Sequence, residues 1–139
     1  MAVRYLLDTN TAGYIIKGNF PRVRERLLKV PMAEVGISVV TEAELRFGVA
    51  RRPEATTQAT MLKRVVEEFL LRVESLAWDS EAAGQYARIR ALLEKDGSPM
   101  GNLDLMIAAQ AVAAGVVLVT RDHVFRRVKG LRVEDWSKG

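Results

Sequence analysis

Five short apolar runs alternate with stretches of helical character, and this alternation constrains the fold more than any other feature of the chain. Residues 3–7, 35–39, 74–77, 116–119 and 131–133 read as strands. The run Val116-Val117-Leu118-Val119 is mostly β-branched, is bounded by Gly115 and Thr120, and shows no polar alternation. A strand apolar on both sides is buried on both faces. Residues 9–17, 22–30, 41–50, 53 to about 71, 79–95 and 102–114 read as helices, with a short one near 124–128. Gly18, Gly97 with Pro99, and Gly115 supply stop signals. Strands interleaved with helices predict an α/β fold, with a central parallel sheet flanked by helices. At 139 residues, a single domain spanning 1–139 is expected.

Composition removes several classes of function. The chain has no cysteine and one histidine, His123, which excludes a disulfide scaffold, a thiolate metal site, a cysteine nucleophile and a histidine-rich zinc site. The start of the chain carries Arg4 and Asp8 within its apolar run, against a signal sequence. The longest apolar run, 105–119, is broken by Gln110 and falls short of the ~18–20 residues of a membrane span. A cytoplasmic protein with no membrane partner is expected. The formal net charge of +4 is a mild excess that favours a polyanionic partner without requiring one.

In a doubly wound sheet, sites form beyond the carboxyl ends of the strands. Asp8 follows the first strand and Asp122 follows the run 116–119. Glu44 and Asp104 are placed on the first turns of their helices. Each acid taken singly has an ordinary structural explanation, because carboxylates cap helix starts and favour the positive dipole end. Thr41-Glu42-Ala43-Glu44 even has the spacing of a capping box, Asn102 is a suitable cap ahead of Asp104, and Asp8 and Asp122 are themselves potential caps. Taken together they say more. Thr9, Asn10 and Thr11 offer spare caps beside Asp8. Four carboxylates at one edge repel one another and raise one another's pKa unless a cation sits among them. Without cysteine or a histidine cluster, that cation is a hard, oxygen-bound one such as Mg²⁺ or Mn²⁺. Carboxylates with these ions most often act on phosphate esters. Arg46 and Arg121, each near an acid in sequence, are candidate contacts for the phosphate strand of such a substrate, whereas Arg22, Arg24, Arg26 and Lys29 read as a solvated helix face.

The strings Leu6-Leu7-Asp8-Thr9-Asn10, Ser38 through Gly48, Gly101 through Ala109, and Leu118-Val119-Thr120-Arg121-Asp122 with Phe125, Gly130-Leu131 and Trp136 occur in that order across nearly the whole chain. Together they resemble a PIN domain, most closely the VapC ribonucleases that serve as toxins of type II toxin–antitoxin pairs. The resemblance implies a metal-dependent endoribonuclease with Asp8, Glu44, Asp104 and Asp122 as catalytic acids. Asp8 and Asp104 would be direct ligands of Mg²⁺ or Mn²⁺. Glu44 and Asp122 would hold a second ion or act through water, with Asn10 and Thr120 as their hydrogen-bonding support. It also implies a homodimer, an RNA substrate, and a VapB-like antitoxin whose tail covers the site. Gln110 stands where many relatives have histidine, and His123 reads as an exposed loop or cap residue.

Other functions fit less well. A receiver domain needs a second acid after the first strand and a lysine after the last. An Asp-x-Asp phosphatase needs an acid where Asn10 stands. A glycosidase needs an aromatic groove, and only 6% of residues are aromatic. A non-catalytic nucleic-acid-binding module has no use for four acids at its binding edge. A housekeeping RNA-processing PIN nuclease keeps the same chemistry, but the compact length favours the toxin.

Overall fold

The computed structural model describes residues 2–54 and 56–138. Its strands are β1 (Tyr5–Leu7), β2 (Val35–Ser38), β3 (Glu74–Leu76), β4 (Val117–Val119) and β5 (Val133–Glu134). They form one sheet in the order β3-β2-β1-β4-β5, every pairing parallel. The helices are α1 (Thr9–Lys17), α2 (Pro21–Leu28), α3 (Val39–Ala50), α4 (Thr57–Arg72), α5 (Ser80–Lys95) and α6 (Asn102–Ala114). Two 3-10 turns, Met32–Glu34 and His123–Arg127, precede β2 and follow β4. The parallel sheet flanked by helices is the architecture that the strand pattern predicts. No helix among the described residues is long and apolar enough to cross a membrane.

Alternation along each strand splits the core in two. Leu6 and Leu118 face one layer with Leu105, Ile107, Ala108, Ile89 and Phe125. Leu7 and Val119 face the other with Ile37, Ala12, Val23, Phe69 and Trp136. Both layers are buried, which is why the strands read as unbroken apolar runs. Helix α6 buries Leu105 and the run from Ile107 to Ala111, as expected of a helix apolar on nearly every side. Gln110 is the polar exception. Its Nε2 donates to the carbonyls of Leu76 (3.0 Å) and Ala77 (2.8 Å), tying α6 to the end of β3.

Several boundaries differ from the sequence expectation, and two differences bear on the site. Strand β2 stops at Ser38, whose hydroxyl accepts the Val40 N–H at 3.0 Å and caps α3. Helix α3 therefore begins at Val39, the capping box from Thr41 to Glu44 does not form, and Glu44 lies in the second turn rather than the first. Gly101, not Asn102, is the N-cap of α6, so Asn102 is its first helical residue and Asp104 its third. Proline shifts α2 forward to Pro21, and Thr56 caps α4, which starts at Thr57 rather than near Pro53. Gly18 (φ 76°) and Gly115 (φ 68°) end α1 and α6 in the left-handed conformation that glycine adopts without penalty. Phe20 adopts the same region (φ 52°) ahead of α2, at a cost on the order of 1 kcal/mol for a residue with a Cβ.

Candidate active site

Chain order runs outward from β1 to β2 and β3 on one side, and later to β4 and β5 on the other. The direction of winding thus reverses between β1 and β4, where a doubly wound sheet opens a crevice beyond its carboxyl ends. Asp8 lies at the end of β1, and its backbone N–H donates to the Val119 carbonyl at 3.1 Å. Thr120 and Asp122 follow β4 directly.

Asp8 is the N-cap of α1 and is 4% exposed. Its Oδ1 accepts the Thr11 N–H at 2.8 Å, and its Oδ2 accepts the Thr120 hydroxyl at 2.5 Å. Thr120 is itself buried and accepts the Asp122 N–H at 3.0 Å. Burial pushes the Asp8 carboxyl above its ordinary range. The hydrogen bonds from Thr11 and Thr120 pull against that, and the charge of Asp122 adds to it. Asp122 caps the 3-10 turn after β4, its Oδ1 accepting the Val124 N–H at 2.9 Å.

Glu44 reaches the first turn of α1, where its Oε1 accepts the Thr9 hydroxyl at 2.6 Å. Thr9 Oγ1 also lies 3.1 Å from Thr41 Oγ1. Since the Thr9 proton goes to the carboxylate, Thr41 donates to Thr9. A three-residue relay therefore fixes Glu44 from α1. Thr9 reads in the sequence only as a spare cap, and nothing local to it signals a partner 35 residues away.

Asp104 stands in the first turn of α6 with no side-chain hydrogen bond among the described residues. Burial raises its carboxyl pKa, followed by the charges of Asp122, Asp8 and Glu44. The four acids from α1, α3, α6 and the turn after β4 therefore share one electrostatic neighbourhood. Among the described residues, however, no three acidic or histidine side chains converge closely enough to hold a metal ion in common. The donor set is nonetheless suited to a hard divalent ion: all oxygen, with Asp104 repelled by three other carboxylates and paired with no cation among the described residues.

A cleft of about 380 Å³ opens at two of these acids, Asp8 and Asp122, and is lined also by Asn10, Tyr14, Arg121, His123, Asp135 and Lys138; Glu44 and Asp104 are not among its lining residues. Asn10 lines it but makes no hydrogen bond to a carboxylate among the described residues, whereas Thr120 does. His123 is exposed, in keeping with the reading as a loop residue. Arg121 lies over the rings of Phe20 (3.9 Å to the centroid) and Tyr14 (5.6 Å). Arg46 is placed differently. It pairs with Glu42 at 2.8 Å and lines a separate cavity of about 610 Å³ between α3 and α4. It is close to Glu44 in sequence, but residues two apart on a helix point to different faces. Asp135, Ser137 and Lys138 escape the sequence reading because only the pairing of β5 with β4 returns the C-terminal segment to the cleft.

Comparison with known proteins agrees with this architecture. Residues 5–131 match the PIN domain family. The chain is 37% identical over 137 residues to the tRNA(fMet)-specific endonuclease VapC of Salmonella typhimurium, covering 96% of this chain and 98% of that protein. It is 38% identical over 138 residues to the protein of the same name from Shigella flexneri, covering 97% and 99%. Among solved structures, DNA-bound VapBC from Salmonella typhimurium superposes with a TM-score of 0.85 at 37% identity, covering 96% of this chain and 98% of that one. With a matching family across most of its length and relatives this similar from end to end, the chain belongs to the PIN-domain family, in its VapC ribonuclease group.

Proposed function

We propose that the protein is a metal-dependent endoribonuclease that hydrolyses phosphodiester bonds in structured RNA, with tRNA as the substrate class, and acts as the toxin of a VapBC-type pair in the cytoplasm. The observation that carries this reading is the state of Asp104. It is a half-buried carboxyl with no hydrogen-bonding partner among the described residues, pushed up first by burial and then by the charges of Asp122, Asp8 and Glu44. Burying mutually repelling carboxylates is costly for a fold, and a site for Mg²⁺ or Mn²⁺ accounts for it. The tRNA assignment rests on the relatives from Salmonella typhimurium and Shigella flexneri, both named for tRNA(fMet).

Asp8 and Asp104 would hold the ion, with Glu44 and Asp122 completing the acidic set. When bound, such an ion supplies a Lewis acid that lowers the pKa of water and offsets phosphate charge. The chain's own residues supply orientation. Thr11 and Thr120 fix both oxygens of Asp8. The Thr41–Thr9 relay holds Glu44 at the α1 start. Asp104 is left free to engage a ligand.

Two partners belong to this reading. A VapB-like antitoxin tail would cover the acids, as the similarity to VapBC complexes suggests. A homodimer would use apolar side chains left exposed on α4 and α5, among them Met61, Leu71 and Leu92. Sedimentation of the isolated chain as a monomer at high concentration removes the dimer.

Cleavage of a mixed pool of structured RNAs containing initiator tRNA tests the function. It is run with Mn²⁺ or Mg²⁺, with chelator, and with Asp104→Asn. The expected result is metal-dependent cleavage that the variant loses. Absence of both cleavage and metal binding in folded protein reduces the four acids to structural residues.

A further inference from the structure

Arg121 is held in a manner that a solvated surface arginine does not require. One face of its guanidinium lies over Phe20 at 3.9 Å from the ring centroid, with Tyr14 at 5.6 Å. The two rings are themselves packed, with centroids 4.6 Å apart. Its Nε–H donates to Ser137 Oγ at 3.0 Å, and Ser137 Oγ–H in turn donates to Asp135 Oδ1 at 2.6 Å. One face and one edge of the guanidinium are thus fixed by three separate segments. Its two Nη groups, the fork that matches phosphate oxygens, make no hydrogen bond and no carboxylate pair among the described residues. Arg121 lines the same cleft as Asp8 and Asp122.

The platform beneath Arg121 is built against backbone preference. Phe20 sits at φ 52° and ψ 76°, a region that residues with a Cβ rarely occupy and that Asn or Gly would accept more readily. An aromatic ring there provides a flat face under a cation. The acids beside the cleft repel a polyanion, so a substrate phosphate near them needs a fixed positive partner.

We propose that Arg121 is the phosphate-binding residue of the cleft, gripping an RNA backbone phosphate through its Nη fork, and that Phe20 and Ser137 are the residues that position it. The proposal rests on the ribonuclease reading and adds to it a specific contact with the substrate backbone.

The test measures binding of a fluorescently labelled initiator tRNA to the full chain carrying Asp104→Asn, in Mn²⁺, across a salt series. Arg121→Ala in that background is expected to weaken binding about tenfold. It should also reduce the magnitude of the log–log salt slope by about 0.7, the loss of one phosphate contact on a single strand. Arg121→Lys, which keeps charge but loses the planar fork, is expected to fall between. In the active chain, Phe20→Asn should raise KM several-fold with little change in kcat and no loss of thermal stability, and Phe20→Tyr should restore KM. A structural role for the ring predicts the reverse, a lower melting temperature with unchanged KM, and overturns the positioning assignment. Unchanged affinity and salt slope in Arg121→Ala overturn the phosphate contact while leaving the ribonuclease intact. If the parent protein neither binds this RNA nor, with Asp104 restored, cleaves any, the ribonuclease reading falls and the proposal falls with it.

Discussion

The Thr120 hydroxyl donates to Asp8 Oδ2 across 2.5 Å, joining residues 112 positions apart in the chain. The contact exists because β1 and β4 are neighbours, with Leu7 in register with Val119. Thr120 donates to the carboxylate and accepts from the Asp122 N–H, so one buried hydroxyl orders two of the four acids.

Thr120→Val keeps the shape and removes the hydroxyl. Asp8 loses one of the bonds that counter its burial, and its carboxyl rises further. Cleavage should drop about 10–100-fold, the usual effect of losing a group that orients a metal ligand. Circular dichroism should show the fold retained. Full activity in this variant would mean that the hydrogen bond is structural only.

Asp104→Asn should abolish cleavage yet stabilise the metal-free protein. The folded-state pKa of Asp104 is raised above its unfolded value. Ionising it therefore costs the fold stability. That penalty is absent below the unfolded pKa, near 3.8, and grows as pH rises through the folded value until it is complete at neutral pH. In chelator at pH 7 the variant should melt a few degrees above the wild-type chain, on the order of 1 kcal/mol of stability or less. The gap should close as pH falls towards 4. A variant that melts lower than wild type at pH 7 contradicts the repulsion among the acids.

Mn²⁺ or Mg²⁺ should raise the melting temperature of the wild-type chain and not that of Asp104→Asn. An ion present at a hundred times its dissociation constant adds about 2.7 kcal/mol. Thermal scans with each ion and with chelator measure this directly. Identical curves under all three conditions count against a cation site.

Gln110→Leu preserves approximate volume but leaves the Leu76 and Ala77 carbonyls without their donor. The Gln110 Oε1 atom is already buried without a partner, so its removal offsets part of the loss. A net destabilisation of about 1–2 kcal/mol is expected by denaturant titration. Because Gln110 lies six residues beyond Asp104 on α6, cleavage measured well below the melting point should be nearly unchanged.

The layered parallel architecture was readable from the sequence, which also nominated the four acids as candidates. Strands such as Val117–Val119 are buried on both faces, so their composition carries the fold class locally, and Gly18 and Gly115 mark helix ends through a backbone conformation few other residues accept. Asp8, Asp122 and Asp104 were legible as candidates because strand ends and helix starts fall at one edge of such a sheet, whereas Glu44 lies in the second turn of α3 and meets them through Thr9. The support around them was decided only by tertiary structure. Thr9 holds Glu44, Phe20 lies beneath Arg121, and Ser137 returns to the cleft through the pairing of β5 with β4. Ser38 rather than Thr41 caps α3, and Arg46 lines a different cavity from Asp8 and Asp122. Local periodicity records which side of an element is buried. It does not record which distant element meets that side, and hydrogen bonds that join residues 35 or 112 positions apart exist only once the sheet has closed.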